Sequence, residues 1–574
     1  MRPASVTRHV PGDVGDTAVA PPPEAESTPP PGTDFPSGRF LARATLLSAA
    51  LSVAGSVLGL ARDQTLAHFF GAGAETDAFL IAWTLPEMAA TLLIEDGMAF
   101  VLVPAFSAAL ARRARGTNSP DPVRALVAAS LPRLCLAMAA TAVVLVAGAP
   151  LLVRVLAPGL PDPSLAVDCT RLTATCALSF GLAGYCSAAL RAHRAFFAPG
   201  AIYIAYNTAI ITAMFTFGGR WGVRSAALGV ALGGVLMIAV QAPVLWRRIT
   251  RHPRTEEAGY DAMPRQSEAR TPVPDGKDGG LPLAPALVGT VLLFALCRQA
   301  QVLVERYLAS GLPAGAISHL NYAQKVAQLP MMMALMLSIV TFPVVARALA
   351  EGDMRQARNR VERDLVLMAC VVLLGASVVV AAAPQIVQLL FQRGAFTAGD
   401  TAATSAVMRV YAVGLLGHTL VGALVRSYFS PGRATWYPLG AMAAGLATTV
   451  GLGAPAVGFW GARGIAAANA VGITLTALLL LRGLGPHSVP VRVRRIALHL
   501  VRPVAAALCA TAAGFAATRP FASPMAALLA GSATVTGVFL FLAWLLDAAG
   551  SRSLLRSAVH LVRRPATRKL RHGR

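Results

Sequence analysis

The sequence predicts an all-α polytopic membrane protein, with about fourteen transmembrane helices in two parallel-related six-helix lobes plus two C-terminal helices. Three observations carry that prediction. The 574 residues are 55% hydrophobic and 13% charged, with a mean hydropathy of +0.60, a composition outside the range of water-soluble domains. Apolar stretches long enough to cross a hydrocarbon core of roughly 30 Å recur from about residue 42 to the end of the chain. Two of the polar interruptions also match: RDQTLAHFFGAGAETDAFLIAWTLP from Arg62 to Pro86, and RYLASGLPAGAISHLNYAQKVAQLP from Arg306 to Pro330.

In chain order, residues 1–38 are rich in Pro, Ser, Thr, Glu and Asp without apolar period and read as a disordered tail. No signal-peptide core precedes them. Six spans fill 39–249, a polar loop follows at 250–283, six more fill 284–485, two occupy 486–549, and 550–574 is a basic tail. Arginines collect in alternate connections, such as Arg112, Arg113 and Arg115, Arg247 and Arg248, and Arg355, Arg358 and Arg360. The connections around Pro161, Trp221, Pro313 and Pro455 are nearly bare. Cytoplasmic loops collect Lys and Arg, so both termini are expected in the cytoplasm. The net charge of +23 is explained by those loops and by a C-terminal tail suited to anionic lipid rather than nucleic acid. The seven cysteines lie in apolar segments without metal-ligand spacing and read as small buried hydrophobes.

An internal duplication explains the matched punctuation. A shift of 244 residues carries Arg62, Gly71, Leu85 and Pro86 onto Arg306, Gly315, Leu329 and Pro330. A shift of 239 carries Gly222, Arg224, Ala227 and Gly233 onto Gly461, Arg463, Ala466 and Gly472. Six crossings per copy leave the copies parallel, an arrangement in which transporters place substrate between the halves near the midplane.

Charge inside a membrane helix costs on the order of 2.5–3.5 kcal/mol, so such residues face a cavity or a partner. Asp77 and Glu95 stand eighteen residues apart, five turns of an unbroken α-helix, with Glu87 and Asp96 nearby. Arg298, Gln301 and Glu305 form one stripe, and Asn321, Gln324, Lys325 and Gln328 another. These stripes read as a polar cleft or as interhelical hydrogen-bonding glue. At the helix ends, Arg62, Asp63 and Arg306 are open to snorkelling or ion pairing as well as to ligand contact. Pro86 and Pro330 are expected to break their helices.

The segments VLGLARD (57–63), FGAGAETDAF (70–79), LNYAQKVAQLP (320–330), FQRGAFTAGDT (391–401), YAVGLLGH (411–418) and GARGIAAANAVG (461–472) resemble the MurJ/MviN lipid II flippases of the multidrug/oligosaccharidyl-lipid/polysaccharide exporter superfamily. That resemblance implies a multi-pass protein of the bacterial cytoplasmic membrane. It would move undecaprenyl-pyrophosphate-linked peptidoglycan precursor between leaflets, with membrane lipids and cell-wall synthesis proteins as candidate partners. Arg62, Asp63, Asp77 and Glu95 match the family, whereas Ser56 and Ala90 stand where it carries arginine and Lys325 where it carries Arg.

Alternating access is therefore the expected mechanism, with Arg62, Arg298, Arg306 and Lys325 as substrate contacts and Asp63, Asp77, Glu95 and Glu305 in coupling or gating. No nucleotide-binding P-loop, HExxH or GxSxG motif occurs, so no enzyme activity, metal or cofactor is expected and an ion gradient or the membrane potential supplies the energy. The other readings are a flippase for a different polyprenyl-linked glycan, a cation-coupled drug exporter and a non-transporting membrane scaffold.

Overall fold

The structure, a computed structural model, describes residues 38–114, 121–250, 285–336, 354–429, 435–487 and 492–546. The N-terminal tail, the long polar loop and the basic C-terminal tail lie outside these residues, apart from their boundary positions. Every regular element among the described residues is helical. In the first half these are α1 (Gly38–Phe70), α2 (Ala74–Ala89), a π-helical segment (Ala90–Gly97), α3 (Met98–Ala114), α4 (Pro122–Leu156), α5 (Pro163–Ala174), α6 (Cys176–Ala192), α7 (Phe197–Trp221) and α8 (Arg224–Thr250). The second half contributes α9 (Pro285–Ala309), α10 (Ala316–Ala327), α11 (Met354–Ala381), α12 (Ala383–Phe391), α13 (Ala398–Val413), α14 (Leu415–Phe429), α15 (Tyr437–Trp460) and α16 (Ala462–His487). A hairpin of α17 (Val493–Thr518) and α18 (Pro524–Leu545) follows and packs on α11.

Among the described residues, ten helical spans are long and apolar enough to cross a membrane, or eleven if α13 and α14, bent by 47° at Gly414, form one. That supports the polytopic fold class, while the figure of fourteen rests on the sequence alone. Tryptophan marks the membrane borders. Trp221 and Trp460 end α7 and α15 on one face, Trp246, Trp436 and Trp544 stand at helix ends on the other, and all five are at least 45% exposed. Indoles favour this interfacial zone because one edge is apolar and the N–H seeks water.

The face holding the turns after α1, α4, α7, α9, α12 and α15 is called distal below. Every residue with φ in the left-handed range on these turns is glycine: Gly71, Gly222, Gly315, Gly394 and Gly461. Gly222 and Gly461 repeat one turn in detail. Each has φ 56° and donates its N–H 3.0 Å to the carbonyl four residues back, and each accepts from the N–H three residues on. The shift of 239 residues thus relates two turns of matching geometry, and α9 packs on α15 and α15 on α16 as α1 packs on α7 and α7 on α8.

Small residues allow these helices to approach closely, the usual device where lipid supplies no hydrophobic drive between helices. A Cβ on Gly229 of α8 would lie 2.6 Å from Ile210 Cα of α7, and one on Gly472 of α16 would lie 2.5 Å from Gly445 O of α15. Proline sets one of the breaks, that between α11 and α12. Pro384 has no N–H to close on the Val380 carbonyl at the end of α11, and Arg409 of α13 donates its Nε to that carbonyl at 3.2 Å while lying 5.0 Å over Phe515 of α17. At the start of α5, Asp162 accepts from Ser164 N at 2.9 Å, and the Ser164 hydroxyl and amide hold its carboxyl below the usual range. The seven cysteines are free thiols, of which Cys169, Cys176 and Cys186 are buried. Cys509 is exposed on α17, a correction to the expectation that all are buried.

Gly472→Leu should lower the thermal midpoint of the detergent-purified protein by several degrees, because forcing α15 from α16 costs about 1–3 kcal/mol. Gly458→Leu, at a position where an added Cβ meets nothing within 4 Å, should leave the midpoint unchanged in the same melt.

Candidate functional site

The two halves meet along α2 and α10, the helices that carry the matched stretches. Both descend from distal turns, and they touch twice. Near the top, Asp77 of α2 accepts from Gly315 N and Ser318 N, both at 2.7 Å, and from the Ser318 hydroxyl. Gly315 is the N-cap of α10, so the first half supplies a carboxylate to the open N–H groups of a helix in the second half. Ten residues further along both helices, Lys325 of α10 pairs with Glu87 Oε1 of α2. Ten residues of helix rise about 15 Å, which places this ion pair near mid-membrane.

Between these contacts lies Trp83, 5% exposed and unlike the five interfacial tryptophans. Its Nε1 donates to Tyr206 OH at 3.0 Å, and Phe79 stacks beside it. Arg62 lies 4.2 Å over the ring and Lys325 Nζ 5.3 Å from its centroid, so one indole is shared by cations from both halves. Arg62 donates Nε and Nη2 to Asp63 Oδ1 at 3.0 and 2.7 Å, and Nη1 to Asn207 at 3.0 Å. Its counterpart Arg306 donates to the Ile317 carbonyl at 3.1 Å and to Asn321 at 2.9 Å. Both arginines are buried and hydrogen-bonded rather than snorkelling, Arg62 in an ion pair with Asp63.

The distal face is closed above this cluster. Ala395 N donates to the His68 carbonyl at 2.9 Å, Gly159 N to Ser310 Oγ at 3.3 Å, and Tyr322 OH to the Gly71 carbonyl at 3.5 Å. Tyr322 packs with Phe391 and Phe396 beneath that carbonyl. Gly71 and Gly315 are required here twice over: each has positive φ, and a Cβ on either would lie 2.6 Å from a carbonyl of the opposite half, Ala395 O or Ala72 O.

The remaining expected residues separate. Glu305 is buried and accepts from Asn469 Nδ2 of α16, which continues through His418 at 3.1 Å to Tyr411, itself bonded to Gln324 at 2.9 Å. The polar stripes of α9 and α10 therefore act largely as bonds within the second half. Arg298 is exposed and close enough to His418 to interact electrostatically. Pro86 lies within α2, four residues before the π-segment, and Pro330 follows the end of α10. The π-segment breaks the α-helical period used to place Asp77 and Glu95 on one face. The side chains of Glu95 and Asp96 lie outside the described residues. Sequence reasoning passed over Trp83, Asn207, His418 and Asn469 as site residues; a tryptophan in mid-span and Tyr411 and His418 seven residues apart were the available signals. Among the described residues no group of three or more His, Cys, Asp or Glu side chains converges as a metal site would require.

Comparison with known proteins adds an independent line. The family described as "Lipid II flippase MurJ" matches residues 66–528. Similar curated proteins include "Lipid II flippase MurJ" of Burkholderia cenocepacia, 25% identical over 68% of this chain and 73% of its own length. "Probable lipid II flippase MurJ" of Haemophilus influenzae is 26% identical over 80% and 89%. In fold, the chain is similar to a solved structure titled "Lipid II flippase MurJ, inward closed conformation", with a TM-score of 0.68 and 18% identity over 89% of this chain and all of that one. An inward-facing multidrug resistance MATE family transporter of the MOP superfamily gives a TM-score of 0.57 at 14% identity, covering 79% of this chain and 99% of that one.

Asp77→Ala removes a buried cap worth about 1–3 kcal/mol and should open the distal face. Spin labels at positions 161 and 314, on exposed distal turns of the two halves, should report a longer and broader distance distribution than in the parent protein, with Asp77→Asn intermediate.

Proposed function

This chain belongs to the MurJ family of lipid II flippases, and on that premise we propose that it moves lipid II, the undecaprenyl-pyrophosphate-linked peptidoglycan precursor, from the inner to the outer leaflet of the bacterial cytoplasmic membrane. The observation that carries this reading is the meeting of Arg62 and Lys325, one from each half, over Trp83 at mid-membrane depth. A diphosphate headgroup needs cations where hydrocarbon offers none, while its polyprenyl tail can remain among the lipids. The lobes are taken as 39–249 and 284–485, with two further spans at 486–549, fourteen spans in all, and both termini cytoplasmic. The distal face then lies outside.

In this assignment the closed distal contacts form the outer gate. Rocking of the lobes breaks Asp77 from the α10 N-terminus and opens the cleft outward. Lys325 binds the pyrophosphate as a point charge, with Arg62 holding the opposite side of the cleft and Arg298 exposed below. Arg306 is committed to its own half through Ile317 and Asn321, and so acts chiefly in shaping the turn between α9 and α10. Asp63, Asp77, Glu95 and Glu305 are the coupling or gating acids, and the membrane potential or an ion gradient drives the cycle. Transport without chemical conversion of the substrate, in contact with membrane lipids and neighbouring cell-wall synthesis proteins, completes the reading.

A second reading, a flippase for another polyprenyl-linked glycan, is favoured by Ser56 and Ala90. The Ser56 hydroxyl turns back to the Ser52 carbonyl at 3.0 Å, and Ala90 presents a methyl group where the family carries a guanidinium.

Expression in a bacterium depleted of its own lipid II flippase should restore growth and delivery of lipid II to the outer leaflet. In that assay Lys325→Ala should reduce transport at least about tenfold, since a lost charge-assisted contact is worth about 1.5–3 kcal/mol, and Lys325→Arg should retain it. A well-expressed parent protein that restores nothing argues for the other glycan, and full activity in Lys325→Ala argues for a scaffold.

A further inference from the structure

The central cluster contains two ion pairs of different kinds. Arg62 and Asp63 belong to the same half, and their side chains are 10% and 5% exposed. Lys325 and Glu87 come from opposite halves, and theirs are 30% and 31% exposed. The second pair is therefore the more open of the two to a solute in the cleft. Glu87 stands one helical turn beyond Trp83, so a single face of α2 offers Lys325 both an aromatic ring and a carboxylate. The formal charges of Arg62, Asp63, Glu87 and Lys325 cancel. In this closed state the cation assigned to the substrate is already neutralised by the protein.

We infer that Glu87 is a built-in counter-anion that occupies Lys325 in the absence of substrate, so that a prenyl diphosphate binds by displacing the Glu87 carboxylate. The inference rests on the reading that the cleft receives a diphosphate lipid. The exchange has two effects. Lys325 is never left unpaired in a low-dielectric cleft, which would cost more than either pairing. The same step also unties α2 from α10 at mid-depth, so occupancy by substrate loosens the contact that holds the two halves together. When the diphosphate leaves, Glu87 returns to Lys325 and opposes rebinding. Glu87 thus limits affinity and favours release.

The test is calorimetric titration of the purified full-length protein with farnesyl diphosphate, a short prenyl diphosphate. Removing the competing carboxylate in Glu87→Gln should tighten binding about five- to tenfold, and Glu87→Ala should shift it in the same direction. Lys325→Gln should abolish binding, and adding Glu87→Gln to it should restore nothing. In vesicles, Glu87→Gln should turn over more slowly at saturating substrate, the mark of retarded release rather than of a lost contact. If the parent protein binds and Lys325→Gln does not, but Glu87→Gln, eluting and melting like the parent, binds no tighter than the parent, the exchange is overturned while the transport reading stands. If neither the parent nor Glu87→Gln binds a prenyl diphosphate, the transport reading falls and the exchange falls with it.

Discussion

Hydrocarbon cannot solvate a charge, and the organisation of the centre of this molecule follows from that constraint. Most ionised side chains described on α1, α2, α9 and α10 are answered by a nearby side chain or by a freed backbone group, with the exposed Arg298 standing apart. Answering Asp77 brings the N-terminus of α10 to the first turn of α2, and answering Lys325 brings Glu87 to the same helix ten residues further along. With two fastenings at equal spacing, α2 and α10 lie side by side in register. The halves can therefore meet in only one way while both fastenings hold.

The fastenings differ in strength and in reach. Asp77 receives three donors in a buried cap, whereas Lys325 and Glu87 make one contact in a partly open cleft. Closure thus depends chiefly on the distal cap, and the deeper pair is free to respond to what enters the cleft. The duplicated turns at Gly222 and Gly461 lie away from this seam and brace each half internally.

Much of the architecture was legible in the residues because it is local. Apolar spans and the paired marks at Arg62 and Arg306, Gly71 and Gly315, and Gly222 and Gly461 are properties of short windows, and the described helices and turns carry them, whereas Pro86, expected to break its helix, lies inside α2. The site was legible only in part. Asp77, Glu87 and Lys325 could be seen as costly in lipid, but their partners lie about 240 residues away in sequence, and only packing of the halves selects them. The eighteen-residue spacing from Asp77 to Glu95 assumed a regular helix, which the π-segment at Ala90–Gly97 interrupts. Trp83 was hidden among apolar neighbours because nothing in a linear reading separates an interfacial tryptophan from one clamped between two cations.

Among the described side chains of the central site the cations Arg62, Arg298, Arg306 and Lys325 are matched in number by the acids Asp63, Asp77, Glu87 and Glu305, although the whole chain carries a net charge of +23. A balanced cluster casts little field beyond the roughly 8 Å over which ions in physiological salt already screen a charge. An anionic headgroup therefore meets no long-range pull toward the cleft, and the excess positive charge outside this cluster attracts the anionic membrane surface as a whole. Capture becomes a two-dimensional search, with a tethered headgroup drifting in its leaflet until it reaches the opening. Its encounter rate is governed by lateral diffusion and lipid abundance, and is insensitive to ionic strength.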